Sequence, residues 1–276
     1  MRIASYNTKN LFHIDQPGAK PEFELRALGR EIDKFDADVL LLQEVGSQAA
    51  LEALNDRLAN PYPIALCQLG NSTRDIHLGL LSRYPAHVMS HRQAVLNDVD
   101  GQEIRLAMSL AQSEQQMTEP LRLQRDLLQA TLMLPQGELV LLGVHLKSKG
   151  RPLWQTVDSD TIRAAEARYI AGVAQGLLKQ NAKLVLAGDF NDVPHATSLA
   201  AIDHLELHDP HAARLAKLGR NPTTYWPKRR TRIDRLLLSG NLVSHVQADS
   251  ARIHIGDRAR RASDHFAVSV DLCFPS

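Results

Sequence analysis

Short apolar runs alternate with helical patterns along most of this 276-residue chain. Arg2–Asn7 (RIASYN) and Ala37–Val45 (ADVLLLQEV) have the length and apolar continuity of buried strands. Between them Phe23, Leu25, Leu28, Ile32 and Phe35 recur near helical period, which predicts a helix over 22–35. Strand, helix and strand together predict a βαβ opening. A second amphipathic helix is predicted over 47–59 (SQAALEALNDRLA).

The pattern then changes. His77–Pro85 and Ala86–Leu96 are strand-like and meet at a proline, which predicts a hairpin. Residues 97–120 are polar, and Ile104–Pro120 is expected to be the most mobile loop. Leu127–Leu134 and Leu139–Leu146 predict another hairpin, bent at Pro-Gln-Gly-Glu. A helix over Ser159–Gln180, capped by Ser159 or Asp160, runs into the apolar stretch AKLVLAGDFND. Residues 231–240, 242–253 and 265–274 predict three late strands. Hairpins mixed with βαβ units imply an α/β (α+β) fold with antiparallel pairs covered by helices, not a purely parallel sheet. No repeat, low-complexity tract or linker interrupts 1–276, so one domain is expected.

Composition narrows the class without naming it. At 44% hydrophobic and 23% charged residues, the chain is an ordinary globular sequence. A chain this long buries roughly three quarters of its unfolded surface and needs no disulfide staples. Cys67 and Cys273 form no CxxC or Cys/His cluster and are expected to be buried free thiols. No stretch approaches the ~18–20 apolar residues of a membrane span. Without an apolar signal-peptide core near Met1, cytoplasmic residence is the default expectation. A net charge of +1 does not by itself argue for a polyanionic partner. Two basic clusters, Pro227–Arg235 and Asp257–His265, each enclose an acidic residue. They are either solvated faces or a phosphate-attracting rim, and charge alone favours the solvated face.

Polar residues recur where apolar runs end or begin: Asn7, Glu44, His145 and Asp189 with Asn191 close runs, Asp234 sits in TRIDRLLL, and Asp264-His265 opens the last strand. Each has an ordinary explanation alone. Asn7 would cap a turn, His145 would be a satisfied histidine, and GDFND would be a polar turn. Glu44 is harder to dismiss, because a carboxylate in an apolar context is costly unless paired. Strand ends of one sheet system converge, so these groups would share one mouth. Carboxylates crowded there require a balancing cation, and oxygen donors suit a hard divalent ion such as Mg²⁺. The set contains no cysteine, which counts against a structural zinc site.

At this point the chain resembles the endonuclease/exonuclease/phosphatase superfamily, the DNase I-like metal phosphoesterases. The matching blocks are ASYNTKNLF, LLQEV, LLSRYP, VHLKSKG, GDFND, RIDRLLLS and SDHFAV, in the family's order. The resemblance implies a four-layer sandwich, two packed mixed β-sheets flanked by helices. It also implies roles. Glu44 would bind Mg²⁺ or Mn²⁺, with Asn7 and Asp264 in or beside the metal shell. Asp189 would orient and deprotonate the attacking water, and Asn191 would hold that water or a phosphate oxygen. Asp234 would orient His265, which would face the phosphoryl oxygens, with His145 opposite.

The superfamily includes nucleases, lipid and inositol phosphatases, sphingomyelinases and deadenylases, so fold does not give substrate. LQEV followed by Gly46, and a histidine at 145, disfavour the abasic-site endonucleases. TRIDRLLL lacks the block of the inositol-polyphosphate 5-phosphatases. NLF and HLKSKG look most like bacterial members described as nucleases, which makes a nucleic acid, DNA or RNA, the leading partner. Lys147, Lys149 and Arg151 would then contact substrate phosphates, or else form a solvated turn. A phosphomonoesterase or a lipid or small-molecule phosphodiesterase is the alternative, and a non-catalytic binding protein on this fold is a third. Arg163 and Glu166 are expected to be a structural helix pair, with approach to the site as the alternative. Tyr225 and Trp226 would anchor a loop or stack on a ligand, Asp192 and His195 are ordinary turn residues, and His204, His208 and His211 are expected at the surface.

Overall fold

The computed structural model describes residues 1–108, 117–150, 156–219, 223–227 and 231–275. The first half runs β1 (Arg2–Leu11), α1 (Glu22–Phe35), β2 (Val39–Val45), α2 (Gln48–Asn55), β3 (Ile64–Gln68), β4 (His77–Ser82), β5 (Ala86–Ser90), β6 (Arg105–Met108) and β7 (Met117–Pro120). The second half runs β8 (Leu128–Leu134), β9 (Gly137–His145), α3 (Ser159–Lys179), β10 (Leu184–Asp189), α4 (Ala200–Asp203), α5 (Pro210–Leu218), β11 (Asp234–Leu238), β12 (Arg252–Ile253), α6 (Asp257–Ala262) and β13 (Val268–Asp271). Among the described residues, six strands form one sheet in the order β12-β13-β1-β2-β4-β3. Five form a second in the order β11-β10-β9-β8-β5, and β6 pairs with β7. Both large sheets mix parallel and antiparallel pairs, because β1 lies parallel to β2 and β9 parallel to β10.

Three apolar layers explain the stacking. Ile3, Val39 and Leu41 of the first sheet pack against Leu139, Leu141, Val185 and Ala187 of the second. Their chain neighbours Ala4, Leu40 and Leu42 face the opposite way, onto Leu28, Ile32 and Phe35 of α1 and Leu51 of α2. Likewise Val140, Leu142, Leu184 and Leu186 leave the second sheet's outer face, onto Ile162, Ile170 and Ala174 of α3. Each central strand is therefore buried on both sides, which is why its sequence reads as an unbroken apolar run rather than an alternation. The result is helices, sheet, sheet, helices. The sheets approach closely at Gly143, where an added Cβ would lie 2.5 Å from Leu41 Cδ1.

Several sequence expectations are corrected. Strands β4 and β5 do not form a hairpin: β4 pairs with β2 and β3, whereas β5 pairs with β8 in the other sheet. The proline turn is real, but it is the corner between sheets. Ser82 Oγ accepts from Tyr84 N and donates to its carbonyl, and Pro85, lacking an N–H, cannot extend the β4 ladder. Residues 242–253 are not one strand. A 3-10 turn spans Gly240–His245, and only Arg252–Ile253 pairs with β13. The cap of α3 is Asp158, whose side chain accepts from Thr161 N. Cys273 is exposed and Cys67 half-buried, and both are free. The expected loop at 104–120 contains the β6–β7 pair, and 109–116 lie outside the described residues. No described helix is long and apolar enough to cross a membrane.

Candidate active site

The side-chain alternation that builds the inter-sheet core also builds the site. Continued toward one end of the sheets, the inner-face positions become Asn7 on β1, His145 and Asp189 at the carboxyl ends of β9 and β10, and Asp234 at the start of the antiparallel β11. All four are buried. The inner layer thus turns from apolar to polar at one end. Asp189 lies opposite His145 on one neighbouring strand and opposite Asp234 on the other. The residue before it must be glycine. Gly188 has φ +143, and a Cβ there would sit 1.9 Å from the Val144 carbonyl oxygen.

Asp189 is held at both oxygens. Oδ1 accepts from Asn191 N (2.8 Å), and Oδ2 accepts from Asn7 Nδ2 across the sheet interface (3.0 Å). The first contact is an Asx turn, and Asn191 takes the left-handed φ of 52° while its amide donates to the Leu146 carbonyl (2.8 Å). His265 Nδ1 donates to Asp234 Oδ2 (2.8 Å). The other nitrogen, Nε2, lies 3.9 Å from Asp189 Oδ2 and 4.0 Å from Asp264 Oδ1. His145 Nε2 lies 3.8 Å from Asp189 Oδ2. Asp189, Asp234 and His265 each offer a ligand-type atom within 4.8 Å of one another.

Burial and charge set the protonation states. Burial alone would lower His265, but the Asp234 and Asp189 carboxylates outweigh it and raise its affinity for a proton. Burial and the nearby Asp234 raise Asp189, against the pull of His265 and the Asn191 and Asn7 hydrogen bonds. Burial, then the charges of Arg125 and His265, hold His145 far below the usual histidine range, so it is neutral. Two histidines at one mouth therefore carry different charges.

The opposite wall comes from the β1–β2 end, and there the ladder breaks. Register shifts between Asn7 and Leu11 and between Gln43 and Val45, and Glu44 takes a φ of 63°. Leu42 and Val45 both reach the helix-side core although three residues apart, so Glu44 is the extra residue of a bulge. Its Oε2 accepts from Asn10 N (2.9 Å), and no partner for Oε1 is found among the described residues. Glu44 and Asp264 both line a pocket of about 430 Å³ with His145, Asp189, Asn191 and His265. A divalent cation fits the chemistry of Glu44 and Asp264, two carboxylates that face the pocket with no Lys or Arg paired to either among the described residues, whereas the Asn7 side chain is turned to Asp189 and Lys9 N and does not line the pocket.

A buried ionic frame holds the loop after β9. Arg163 donates to Asp192 Oδ2 (2.9 Å), to the Lys147 carbonyl (2.8 Å) and to Ser198 Oγ (3.1 Å). Glu166 accepts from Lys147 N (2.6 Å), and burial pushes this carboxyl up to about 7. Arg163 and Glu166 are thus structural, though each serves the loop rather than the other. Lys147 is buried, and its ammonium donates to the Ser148 and Gly150 carbonyls. Lys149 lines the pocket and pairs with Asp192 (2.8 Å), while Arg151 lies outside the described residues. Asp192 is more than a turn residue. It is buried, and its ties to Lys149, Ser198 and Arg163 outweigh desolvation and lower its pKa.

Trp226 donates to the Ser263 carbonyl (3.1 Å), as a loop anchor does, while the Tyr225 ring lies 5.0 Å from that of His265 and lines the pocket. His211 is buried, not at the surface: its Nε2 meets the Arg252 carbonyl and desolvation lowers it to about 4. Arg74 and Arg125 also line the pocket, and neither was legible in the sequence because single arginines in NSTRD and RLQRD are unremarkable. Arg125 is buried with Nε unpartnered.

The profile of the endonuclease/exonuclease/phosphatase family matches residues 4–265. Searching functionally curated proteins by sequence returns no match. Among solved structures, the fold is similar to the human nocturnin catalytic domain with bound sulfate (19% identity, TM-score 0.63, covering 100% of this chain and 94% of that one). It is also similar to a 3′-5′ exonuclease from Neisseria meningitidis (16%, TM-score 0.59, 99% and 100%). A mannosyl-6-phosphatase from Bacteroides thetaiotaomicron is equally alike (18%, TM-score 0.59, 99% and 100%). With a profile match over nearly its whole length, two mixed sheets between helices and the polar end of the inter-sheet layer, the chain belongs to the endonuclease/exonuclease/phosphatase family.

Proposed function

We propose that this chain is a divalent-metal-dependent phosphodiester hydrolase acting on nucleic acid, DNA or RNA. The observation that carries the reading is Asp189, a buried carboxylate fixed at both oxygens, with a raised proton affinity, on the wall of an open pocket. Such a group takes a proton from a water near neutral pH and holds that water in one orientation. Asn191, pinned through its amide nitrogen, keeps its carbonyl oxygen for the same water or its side chain for a phosphate oxygen. Asp234 fixes the His265 ring, so its Nε2–H is a charged donor for a phosphoryl oxygen. The neutral His145 donates from the far side to the developing charge or the leaving oxygen. Glu44 and Asp264 would hold Mg²⁺ or Mn²⁺. Bound there, the cation supplies positive charge to the phosphoryl oxygens. Lys149 and Arg151 would contact substrate phosphates, and Lys147, its ammonium donating to the Ser148 and Gly150 carbonyls, holds the start of the loop after β9.

Arg125 supports a second reading. A buried guanidinium with an unpartnered Nε in the pocket wall suits a terminal, doubly charged phosphate, as in a phosphomonoesterase. The names of the similar structures include both an exonuclease and a phosphatase. One panel decides: protein with Mg²⁺ or Mn²⁺ against single- and double-stranded DNA, RNA, a generic phosphodiester and a phosphomonoester. Nucleic-acid cleavage that disappears in Asp189→Asn is the expected result. Turnover of the phosphomonoester with no cleavage of DNA or RNA overturns the nuclease reading.

A further inference from the structure

A groove of about 510 Å³ lies between α1 and α6, lined by Phe23, Arg26, Arg30, Asp257, Arg258 and Arg261. Four guanidiniums share it with one carboxylate. Arg26 pairs with Glu22 (3.0 Å), and Asp257 lies 3.5 Å from Arg260 outside the groove lining. Among the described residues, Arg30, Arg258 and Arg261 have no ion pair. Phe23 is 63% exposed, although α1 turns its other large apolar residues, Leu25, Leu28, Ile32 and Phe35, into the core. An exposed arginine alone is an ordinary solvated residue. Here two separate helices aim arginines into one concave surface that also holds an unburied aromatic ring.

The groove is tied to the catalytic mouth. Lys20 donates to the carbonyl of Ala262, the last residue of α6 (2.9 Å), and Ser263 Oγ donates to the Asn7 carbonyl (2.7 Å). Asp264 follows at once. Arg261 is three residues from Asp264, so their backbones lie within about 11 Å. Asp264 lines the same pocket as Asp189, so a three-residue span joins the groove to the mouth where a scissile phosphate would sit.

We propose that the α1–α6 groove is an exosite for single-stranded nucleic acid, gripping the strand that flanks the scissile phosphate. The proposal rests on the nucleic-acid reading above and narrows it to a single-stranded substrate. Guanidinium forks match phosphate oxygens in pairs, and each phosphate contact releases condensed counterions. The exposed Phe23 ring offers a stacking face for a base, which a duplex keeps within its own stack. Three unpaired arginines and one free ring are the complement of a short stretch of unpaired strand.

The test uses the triple variant Arg30→Ala/Arg258→Ala/Arg261→Ala, its triple-lysine counterpart and Phe23→Ala. Binding of a single-stranded DNA of about 20 nucleotides is read by fluorescence anisotropy in EDTA across a salt series. Hydrolysis of that strand and of a dinucleotide is read with Mn²⁺. In the triple-alanine variant the slope of log affinity against log salt becomes shallower by about 2, and affinity at low salt falls at least about tenfold. The triple-lysine variant keeps most of the slope. Phe23→Ala weakens single-strand binding about tenfold and leaves a duplex unaffected. Dinucleotide kcat/KM stays the same in all variants, which also shows that they fold. If the wild type cleaves the long strand and the triple-alanine variant binds and cleaves it equally well, the groove proposal is overturned and the nuclease reading stands. If the wild type neither binds nor cleaves any nucleic acid while hydrolysing a small phosphoester, the nuclease reading falls and the groove goes with it.

Discussion

The two sheets bring polar residues to the mouth in different ways. In the five-stranded sheet, His145, Asp189 and Asp234 sit on unbroken ladders, with Asp189 in register with both neighbours. In the six-stranded sheet, Asn7 and Glu44 sit where register fails, and Lys9, Asn10 and Glu44 take left-handed backbone angles. In the proposed reading, the regular end holds the groups whose mutual distances govern proton position. The irregular end turns a carboxylate out of the inter-sheet alternation toward the pocket. A proton relay needs fixed spacing between side chains, which a ladder provides. A hard cation needs oxygens gathered from several directions, which a bulge provides.

This contrast predicts opposite failures. Asp189→Asn keeps the shape, and its amide can still accept from Asn191, but it loses the base. We expect kcat to fall by about 10³-fold or more while divalent-metal affinity, measured by calorimetry, changes little. Glu44→Gln should do the reverse. Metal affinity falls by about two orders of magnitude, and raising the metal concentration restores much of the rate. If excess metal rescues Asp189→Asn and fails to rescue Glu44→Gln, the division between the two strand ends is wrong.

Below the regular end lies the buried frame, and its failure is one of stability. Arg163 is fully buried and Asp192 nearly so. Arg163→Ala leaves Asp192 without one of its two cationic partners and frees the Lys147 carbonyl. A loss of about 3–5 kcal/mol is expected by chemical denaturation. The same measurement on Asp257→Ala, whose side chain is exposed, should show almost none. Equal losses in the two variants would show that the loop frame carries no special share of the stability.

What was legible in the sequence follows the same line. Long apolar runs flanked by Asn7, Glu44, Asp189 and Asp234 can be read because a strand buried on both faces leaves no polar residue until it ends. Helix α1 is read to the residue, although Phe23, counted in its apolar period, turns out to face solvent. Features that depend on which strand a residue meets were not legible. Strands β4 and β5 look like partners locally, yet Pro85 sends the chain to the other sheet. His211 and Asp192 look like surface and turn residues, yet α5 packing buries one and Arg163 captures the other. The pocket arginines are invisible for the same reason: Arg74 and Arg125 come from loops that only the fold brings together.

The last predicted effect is one of pH and concerns Glu166, whose carboxyl accepts from Lys147 N just after β9. Its carboxyl is raised from 4.5 to about 7, first by burial, against the pull of Arg125 and the Lys147 amide. A raised carboxyl favours the neutral form in the folded state. Its contribution to stability is therefore fully present below pH 4.5 and is lost as pH rises through about 7, roughly 3 kcal/mol at full titration. Glu166→Gln keeps an acceptor for Lys147 N and cannot ionise, so it escapes that loss. The difference in melting temperature, variant minus wild type, should climb between pH 5 and pH 8 on top of any constant offset from the new amide. A difference that stays flat across this range would mean that Glu166 is ionised throughout, and that Arg125 and Arg163 hold the loop as partners of a charge rather than of a neutral acid.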